Sequence, residues 1–386
     1  MDLDAIYAPV GDDLGALERI LRTELSSDDS FIGELVSHVL TTQGKMIRPA
    51  LVCLSALACG GGSDARLAIA GATEMIHVAS LVHDDVIDAA QTRRGQASVN
   101  AIWGNQVAVL LGDYLFSKAF YMLSRLRDTE TAAVMAGATV RMSQAEIKQI
   151  KYGNTPHTNE AIYFDIIEGK TAQLMSAACR CGALTAQAPE AATAALSTFG
   201  LEWGMAFQIT DDALDLTATP DRLGKPIGSD IQTGKVTLPI IHALTRAPAS
   251  DQRRLRELLT RGGGDGRVSQ ASWAATADHA GDGLAGPGPW ALGPVRTAWA
   301  RDAREPGLPL AKTPVGIDAN DGEVLTADSA MAEVQTILAR TGAIDHALLV
   351  ARSRADRAAA ALEAIDHSRA RDSLMGLVEF VTVRRR

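Results

Sequence analysis

Helical periodicity runs through most of this 386-residue chain and constrains its fold more than any other feature. Long segments are rich in Ala, Leu, Met and Glu, which favour helix, and their apolar residues recur at spacings of three and four. These segments span residues 65–86, 107–126, 132–150, 161–185 and 191–214. Alternating runs of β-branched residues, which would predict strands, are missing from the sequence. The pattern predicts an all-α protein, a single-domain helical bundle with its sites on facing helices of the core.

Two copies of the motif Asp-Asp-x-x-Asp lie inside apolar helical segments, at residues 84–88 and 211–215. Because positions i and i+4 share one helix face, the first and last Asp of each motif are predicted to point the same way. Like charges at this spacing destabilise a helix, and burying unpaired carboxylates costs several kcal/mol per ion, so bound cations are expected. The six carboxylates are Asp84, Asp85, Asp88, Asp211, Asp212 and Asp215.

The donor type indicates which cation these motifs hold. Carboxylate oxygens without accompanying Cys or His favour Mg²⁺, and Mg²⁺ bound by carboxylates usually completes its coordination with phosphate oxygens. Two facing motifs therefore predict a diphosphate held between them. A single such motif would more readily be an acidic, solvated helix face. Two copies, each flanked by large apolar residues, favour the metal site.

Basic residues lie where a diphosphate would need them. Guanidinium groups bind phosphate as a planar fork, and ammonium groups bind it as a point charge. Any one of these residues alone would be interpreted as a solvated surface charge, but together they indicate diphosphate binding. They are Lys45, Arg48, His77, Arg93, Arg94, Lys170, Lys225 and Lys235.

The two motifs and their basic neighbours resemble the trans-isoprenyl (polyprenyl) diphosphate synthases. Residues 81–88 followed by Arg93-Arg94-Gly95 are similar to that family's first aspartate-rich motif, and residues 207–215 to its second. The resemblance covers residues 45–242 and resumes over 331–386. It implies the isoprenoid synthase fold with a central active-site cavity. It also implies a Mg²⁺-dependent prenyltransferase, with two or three ions per site, that joins an allylic diphosphate head-to-tail to isopentenyl diphosphate.

Roles follow from this resemblance by matching position. Asp84, Asp88 and Asp211 would bind Mg²⁺ directly, while Asp85, Asp212 and Asp215 would support or complete the coordination. The allylic diphosphate would contact Arg93, Lys170, Gln208, Lys225 and Lys235. Isopentenyl diphosphate would contact Lys45, Arg48, His77 and Arg94. The residues expected to assist the chemistry are Arg93, Lys170, Thr171 and Gln208.

Small residues one turn before the first motif, Ala79 and Ser80, predict an open product tunnel along that helix. Its floor would lie deeper, at Phe116, Phe120 or Met122. From the resemblance we expect a long-chain polyprenyl diphosphate, for a quinone side chain, with a three- or four-unit product as the alternative. A terpene cyclase is disfavoured because such enzymes usually have a degenerate second motif. A non-catalytic subunit of a hetero-oligomeric synthase is disfavoured because none of the expected catalytic residues is missing.

Charge and hydropathy exclude other classes. The formal net charge of −9 argues against nucleic acid as a partner, because non-specific binding to it requires a basic surface. The N-terminus is acidic, and no uninterrupted run of 18 apolar residues occurs. We therefore expect a cytoplasmic protein without a transmembrane segment, with transient membrane contact for product release. We also expect a homodimer.

Residues 261–328 depart from the helical pattern. They contain 12 of the 34 glycines and 6 of the 14 prolines in the chain. This composition predicts a mostly disordered insertion within a single domain spanning residues 1–386. Three of the five tryptophans also lie here, which leaves open a segment that packs on the bundle or acts as a lid.

Overall fold

The computed structural model describes residues 2–41, 44–153, 155, 158–217, 235–262 and 327–383. These residues are overwhelmingly helical, as predicted. In chain order the first eight helices are α1 Leu3–Tyr7, α2 Gly11–Glu24, α3 Ser30–Thr41, α4 Ile47–Ala58, α5 Ala65–Ile87, α6 Val99–Trp103, α7 Asn105–Arg125 and α8 Thr129–Lys148. The next eight are α9 Glu160–Ile167, α10 Gln173–Thr185, α11 Glu190–Asp215, α12 Leu238–Arg246, α13 Ala249–Gly262, α14 Ala327–Thr341, α15 Ala343–Ala361 and α16 Arg369–Val383.

All five predicted helical segments are confirmed, with two local differences. The segment 132–150 ends in a short π-helix, Gln149–Gly153. The segment 161–185 forms two α-helices, α9 and α10, joined by a π-helical turn at Glu168–Ala172. Such turns are rare and often occur at functional sites. This one contains Lys170 and Thr171.

A short antiparallel hairpin, absent from the prediction, follows the first Asp motif. Its strands are β1 Thr92–Arg93 and β2 Gln96–Ala97, with Arg93 paired to Gln96. The two residues between the strands, Arg94 and Gly95, have φ values of 51° and 78°. Positive φ at both central residues matches the tight hairpin turn that suits the natural strand twist. The hairpin thereby fixes the direction in which Arg93 and Arg94 leave the backbone.

The core is centred on two long helices. Helix α5 packs against α4, α7 and α10, and α11 packs against α10 and α15. Helix α11 lies close to α10 and to the π-helical turn because Gly200 faces α10 and Gly204 faces the turn. A Cβ at Gly204 would lie 2.7 Å from the Cα of Ala172. This close packing of α11 places the π-helical turn next to the second Asp motif.

Two helices, α5 and α7, are long and apolar enough to cross a membrane by length and composition. In α5, however, 56% of the apolar stretch is buried inside the bundle. Helix α5 also ends in the first Asp motif. These features are those of a core helix.

The predicted insertion at 261–328 lies almost entirely outside the described residues, since α13 ends at Gly262 and α14 begins at Ala327. Its disorder and its place within one domain remain predictions.

Candidate active site

The two Asp motifs occupy the carboxyl-terminal ends of the two central helices. Helix α5 ends at Ile87, with Asp88 as its C-cap, and α11 ends at Asp215. A helix C-terminus carries partial negative charge, so carboxylates there oppose the helix dipole. Helix stability therefore does not explain these residues, and a positively charged ligand does.

In each motif the protein itself binds the middle carboxylate. Asp85 is 3% exposed and accepts hydrogen bonds from Arg93 Nε at 2.8 Å and Nη2 at 2.6 Å. Asp212 is 6% exposed and accepts from the Tyr163 hydroxyl at 2.5 Å and from Gln208 Nε2 at 2.8 Å. Both carboxylates are thus held by protein partners, and their supporting role remains a prediction.

The outer carboxylates of the first motif contact two lysines from elsewhere in the chain. Asp84 Oδ2 lies 3.2 Å from Lys170 Nζ, and Asp88 Oδ2 lies 3.4 Å from Lys235 Nζ. Both lysines also line a cavity of about 340 Å³. Asp211 and Asp215 of the second motif line the same cavity. The second motif and the lysine partners of the first motif therefore line one cavity.

Lys170 is held by a second carboxylate that sequence reasoning missed. Its Nζ lies 2.5 Å from Glu146 Oε2 on α8. Burial raises the pKa of Glu146, and the positive charge of Lys170 opposes that rise. Glu146 belongs to no motif, and only the packing of α8 against the π-helical turn reveals it.

A hydrogen-bonded chain links the remaining predicted catalytic residues. Thr171 Oγ1 donates to Gln208 Oε1 at 2.9 Å, and Gln208 in turn donates to Asp212. Tyr163, which completes the chain, was also missed. It lies two helical turns before Lys170, and this spacing is the feature of the sequence that could have identified it.

A second, smaller cavity of about 30 Å³ lies beside the hairpin and is lined by His77, Arg93, Arg94 and Glu74. Glu74 was not predicted as a site residue. It is 4% exposed, and burial raises its pKa while the charges of Arg48 and Arg94 oppose the rise. A Cβ at Gly44 would lie 2.5 Å from Arg94 Nη2, so only glycine allows this arginine its position.

The basic groups of this region also affect one another. Burial lowers the pKa of Arg48 to about 10, and nearby Arg94 contributes to the shift. Burial, together with Arg48, Arg94 and Arg93, lowers the pKa of His77 well below its usual value. Three of the four predicted isopentenyl diphosphate residues thus lie within electrostatic reach of one another. The fourth, Lys45, has its ammonium 5.6 Å from the ring centroid of Phe380 on α16.

The predicted tunnel positions lie along α5 inside the core. Ala79 and Ile76 are fully buried, as are Ala72 and Thr73. Ser80 is half-buried and its hydroxyl donates to the His77 carbonyl at 2.8 Å. The predicted floor residues are on α7, which packs against α5. They comprise the buried Met122 and the partly buried Phe116 and Phe120.

Lys225 lies outside the described residues, so its predicted contact with the allylic diphosphate remains a prediction.

The donor set that is described fits a hard divalent cation. Asp84 and Asp88 keep 15% and 29% of their side chains exposed, and they offer only oxygen ligands.

Comparison with known proteins agrees with this geometry. Residues 29–273 match the polyprenyl synthetase family. An octaprenyl diphosphate synthase from Haemophilus influenzae is 36% identical over 68% of this chain and 80% of that protein. Heptaprenyl diphosphate synthase component 2 from Geobacillus stearothermophilus is 42% identical over 64% of this chain and 77% of that protein.

A solved structure has a similar fold. The polyprenyl synthase from Caulobacter crescentus CB15, complexed with calcium and isoprenyl diphosphate, superposes with a TM-score of 0.79. The two sequences are 27% identical, and the match covers 100% of this chain and 98% of that one.

Proposed function

The chain belongs to the polyprenyl synthetase family and is a prenyltransferase, and on this premise we propose that it elongates an allylic diphosphate with successive isopentenyl diphosphates to a long-chain polyprenyl diphosphate. One observation carries the proposal. Lys170 and Lys235 line a cavity together with Asp211 and Asp215 of the second motif. Lys170 also contacts Asp84 of the first motif, and Lys235 contacts Asp88. A single diphosphate in this cavity is within reach of both motifs and both lysines.

Mg²⁺ is the proposed cation, held by Asp84, Asp88 and Asp211 with Asp215 completing the set. When bound, it would neutralise charge that develops on the departing diphosphate. The calcium and isoprenyl diphosphate complex of the Caulobacter crescentus protein supports a divalent ion in this fold.

The side chains of this protein would promote ionisation of the allylic substrate. The allylic C–O bond breaks, and the diphosphate leaves with the electron pair. Lys170 and Arg93 would stabilise that negative charge, and one well-placed contact of this type contributes roughly 3 kcal/mol. The double bond of isopentenyl diphosphate then attacks the allylic cation, and a proton is lost to the released diphosphate.

Supporting residues keep these groups in place. Asp85 orients Arg93 through two nitrogens, and Glu146 restrains Lys170. The Thr171–Gln208–Asp212 chain would present the Gln208 amide beside the diphosphate. Arg48, His77 and Arg94 would bind isopentenyl diphosphate on the hairpin side.

The long-chain product is supported by two observations. Ala79 is fully buried on the face upstream of Asp84 and leaves no aromatic barrier there. The related proteins above are named for seven- and eight-unit products, which disfavours the three- or four-unit alternative. A quinone side chain as the destination of the product is part of the same proposal.

A second copy of the chain is the proposed partner. Of the twelve large hydrophobic residues exposed in the described part of the chain, eight lie between α6 and the turn that follows α8. Leu110 is 68% exposed and Ile147 is 66% exposed. A concentration of exposed apolar residues of this kind favours association. Light scattering after gel filtration should give twice the monomer mass, and Leu110→Glu should reduce it towards the monomer.

The activity is tested by incubating purified protein with labelled isopentenyl diphosphate, Mg²⁺ and allylic primers of two to four units. We expect products well beyond four units, resolved by reversed-phase chromatography, and none when EDTA is present. Products that stop at three or four units under excess isopentenyl diphosphate would support the short-chain alternative. Absence of product with every primer would contradict the proposal.

A further inference from the structure

Three potential metal ligands from three helices meet outside the cavity wall. They are Glu160 at the start of α9, His242 on α12 and His346 in the first turn of α15. One ligand atom from each lies within 4.8 Å of the other two. None of the three lines the cavity described above.

One distance in this cluster fits a shared ion better than a hydrogen bond. His346 Nε2 is buried and has no hydrogen-bond partner in the described part of the chain. It lies 3.8 Å from Glu160 Oε1, which is too long for a hydrogen bond. Two ligands bound to one tetrahedral ion at 2.0–2.2 Å lie about 3.4 Å apart. A small movement of Glu160 would therefore place both atoms on one ion.

The second imidazole lies directly against the first. The rings of His242 and His346 stack with centroids 4.1 Å apart and an interplanar angle of 22°. At least one ring must turn for both lone pairs to reach one ion.

The cluster is also accessible. The side chain of His346 is 31% exposed, and that of Glu160 is 50% exposed. An ion can thus reach the cluster from solvent.

We propose that Glu160, His242 and His346 form a binding site for a divalent transition metal ion of the Zn²⁺ type, separate from the Asp motifs. Imidazole nitrogens with one carboxylate favour Zn²⁺ or Co²⁺ over Mg²⁺. Three protein ligands leave a fourth position for water. The ion would join α9, α12 and α15. Tyr163 on α9 and Thr237, directly before α12, line the cavity. The bound ion would therefore also stabilise the cavity wall.

The first test measures thermal unfolding of full-length protein stripped with EDTA and then saturated with Mg²⁺, which occupies the Asp motifs. No diphosphate is added, so the result is independent of the proposed reaction. Zn²⁺ at about 100 times its dissociation constant should raise the Tm by about 3 °C for a chain of this length. Glu160→Gln and His242→Gln should abolish the increase. The exposed His367→Gln should retain it.

The second test uses Co²⁺ as a spectroscopic probe under the same conditions. Co²⁺ held by two imidazoles, a carboxylate and water is four-coordinate and absorbs strongly in the visible range, whereas octahedral Co²⁺ at the Asp motifs absorbs weakly. The strong band should appear in the wild type and in Asp84→Ala, and should be lost in Glu160→Gln. A Zn²⁺ effect that survives in Glu160→Gln and His242→Gln, or Co²⁺ spectra without the strong band, would overturn the proposal.

Discussion

The ammonium group of Lys170 lies 3.2 Å from the carboxylate of Asp84, and the same group lies 2.5 Å from Glu146. Lys170 belongs to a π-helical turn, Asp84 to the end of α5 and Glu146 to α8. One cation thus connects the first Asp motif to the wall of the cavity that the second motif lines. This arrangement leads to predictions that separate the contribution of each group.

Replacing either Asp84 or Asp211 by Ala should lower kcat by about 10²-fold or more, because each motif supplies oxygen ligands to the proposed shared diphosphate complex. The helical circular dichroism signal should persist, since each substitution also relieves repulsion between like charges. Steady-state kinetics at saturating Mg²⁺ provides the measurement. Asp356→Ala, which changes an exposed carboxylate on α15, is the matched control and should retain full activity. Near-normal turnover in either motif variant would refute the shared site.

Lys170→Ala and Arg48→Ala should affect different kinetic parameters. Contacts that strengthen during ionisation appear in kcat, whereas uniform ground-state contacts appear in KM. Lys170→Ala should therefore mainly depress kcat. Arg48→Ala should raise the KM for isopentenyl diphosphate by about tenfold, equivalent to about 1.4 kcal/mol of binding. The control is the exposed Arg352→Ala, and the reverse pattern of effects would contradict the assignment.

Ala79→Phe should shorten the product to a few isoprene units without abolishing the first condensation. Ala79 is fully buried, and close-packed neighbours cannot readily accommodate an aromatic ring, so the ring should occupy the proposed tunnel. Overpacking of this type costs about 1–3 kcal/mol of stability, so the Tm of the variant is measured alongside its products. Ala79→Ser, which keeps a small side chain, should still give long products. An unchanged product length in a folded Ala79→Phe variant would place the tunnel elsewhere.

The buried imidazole of His77 should make stability depend on pH. Its pKa in the folded protein is well below that of the unfolded chain because of burial and the nearby arginines. Stability from this group is fully present above pH 6.5 and falls as the pH drops below that value, because the unfolded state then binds the proton. At pH 5.5 the loss should be about 1 kcal/mol in the free energy of unfolding.

Urea unfolding at pH 7.5 and pH 5.5 measures this effect. His77→Gln cannot titrate, so its free energy of unfolding should change less between the two pH values than that of the wild type. Equal changes in both proteins would show that His77 does not contribute.

Much of the fold was predictable because helix formation is governed by local spacing. Apolar residues at three and four positions apart predicted the helices that became α5, α7, α8 and α11. The i,i+4 spacing also predicted that Asp84 and Asp88 share a face. The hairpin at 92–97 was not predicted, since its strands have two residues each and show no alternating pattern.

Partners across helices could not be predicted from the sequence. Glu146 and Tyr163 act on Lys170 and Asp212 only because separate helices pack against each other. The sequence identified the two Asp motifs and the helix faces that present them, since periodicity over one or two turns decides both. Only the tertiary structure decided which carboxylates are bound by protein partners and which line or face the shared cavity, because those contacts depend on how distant segments pack.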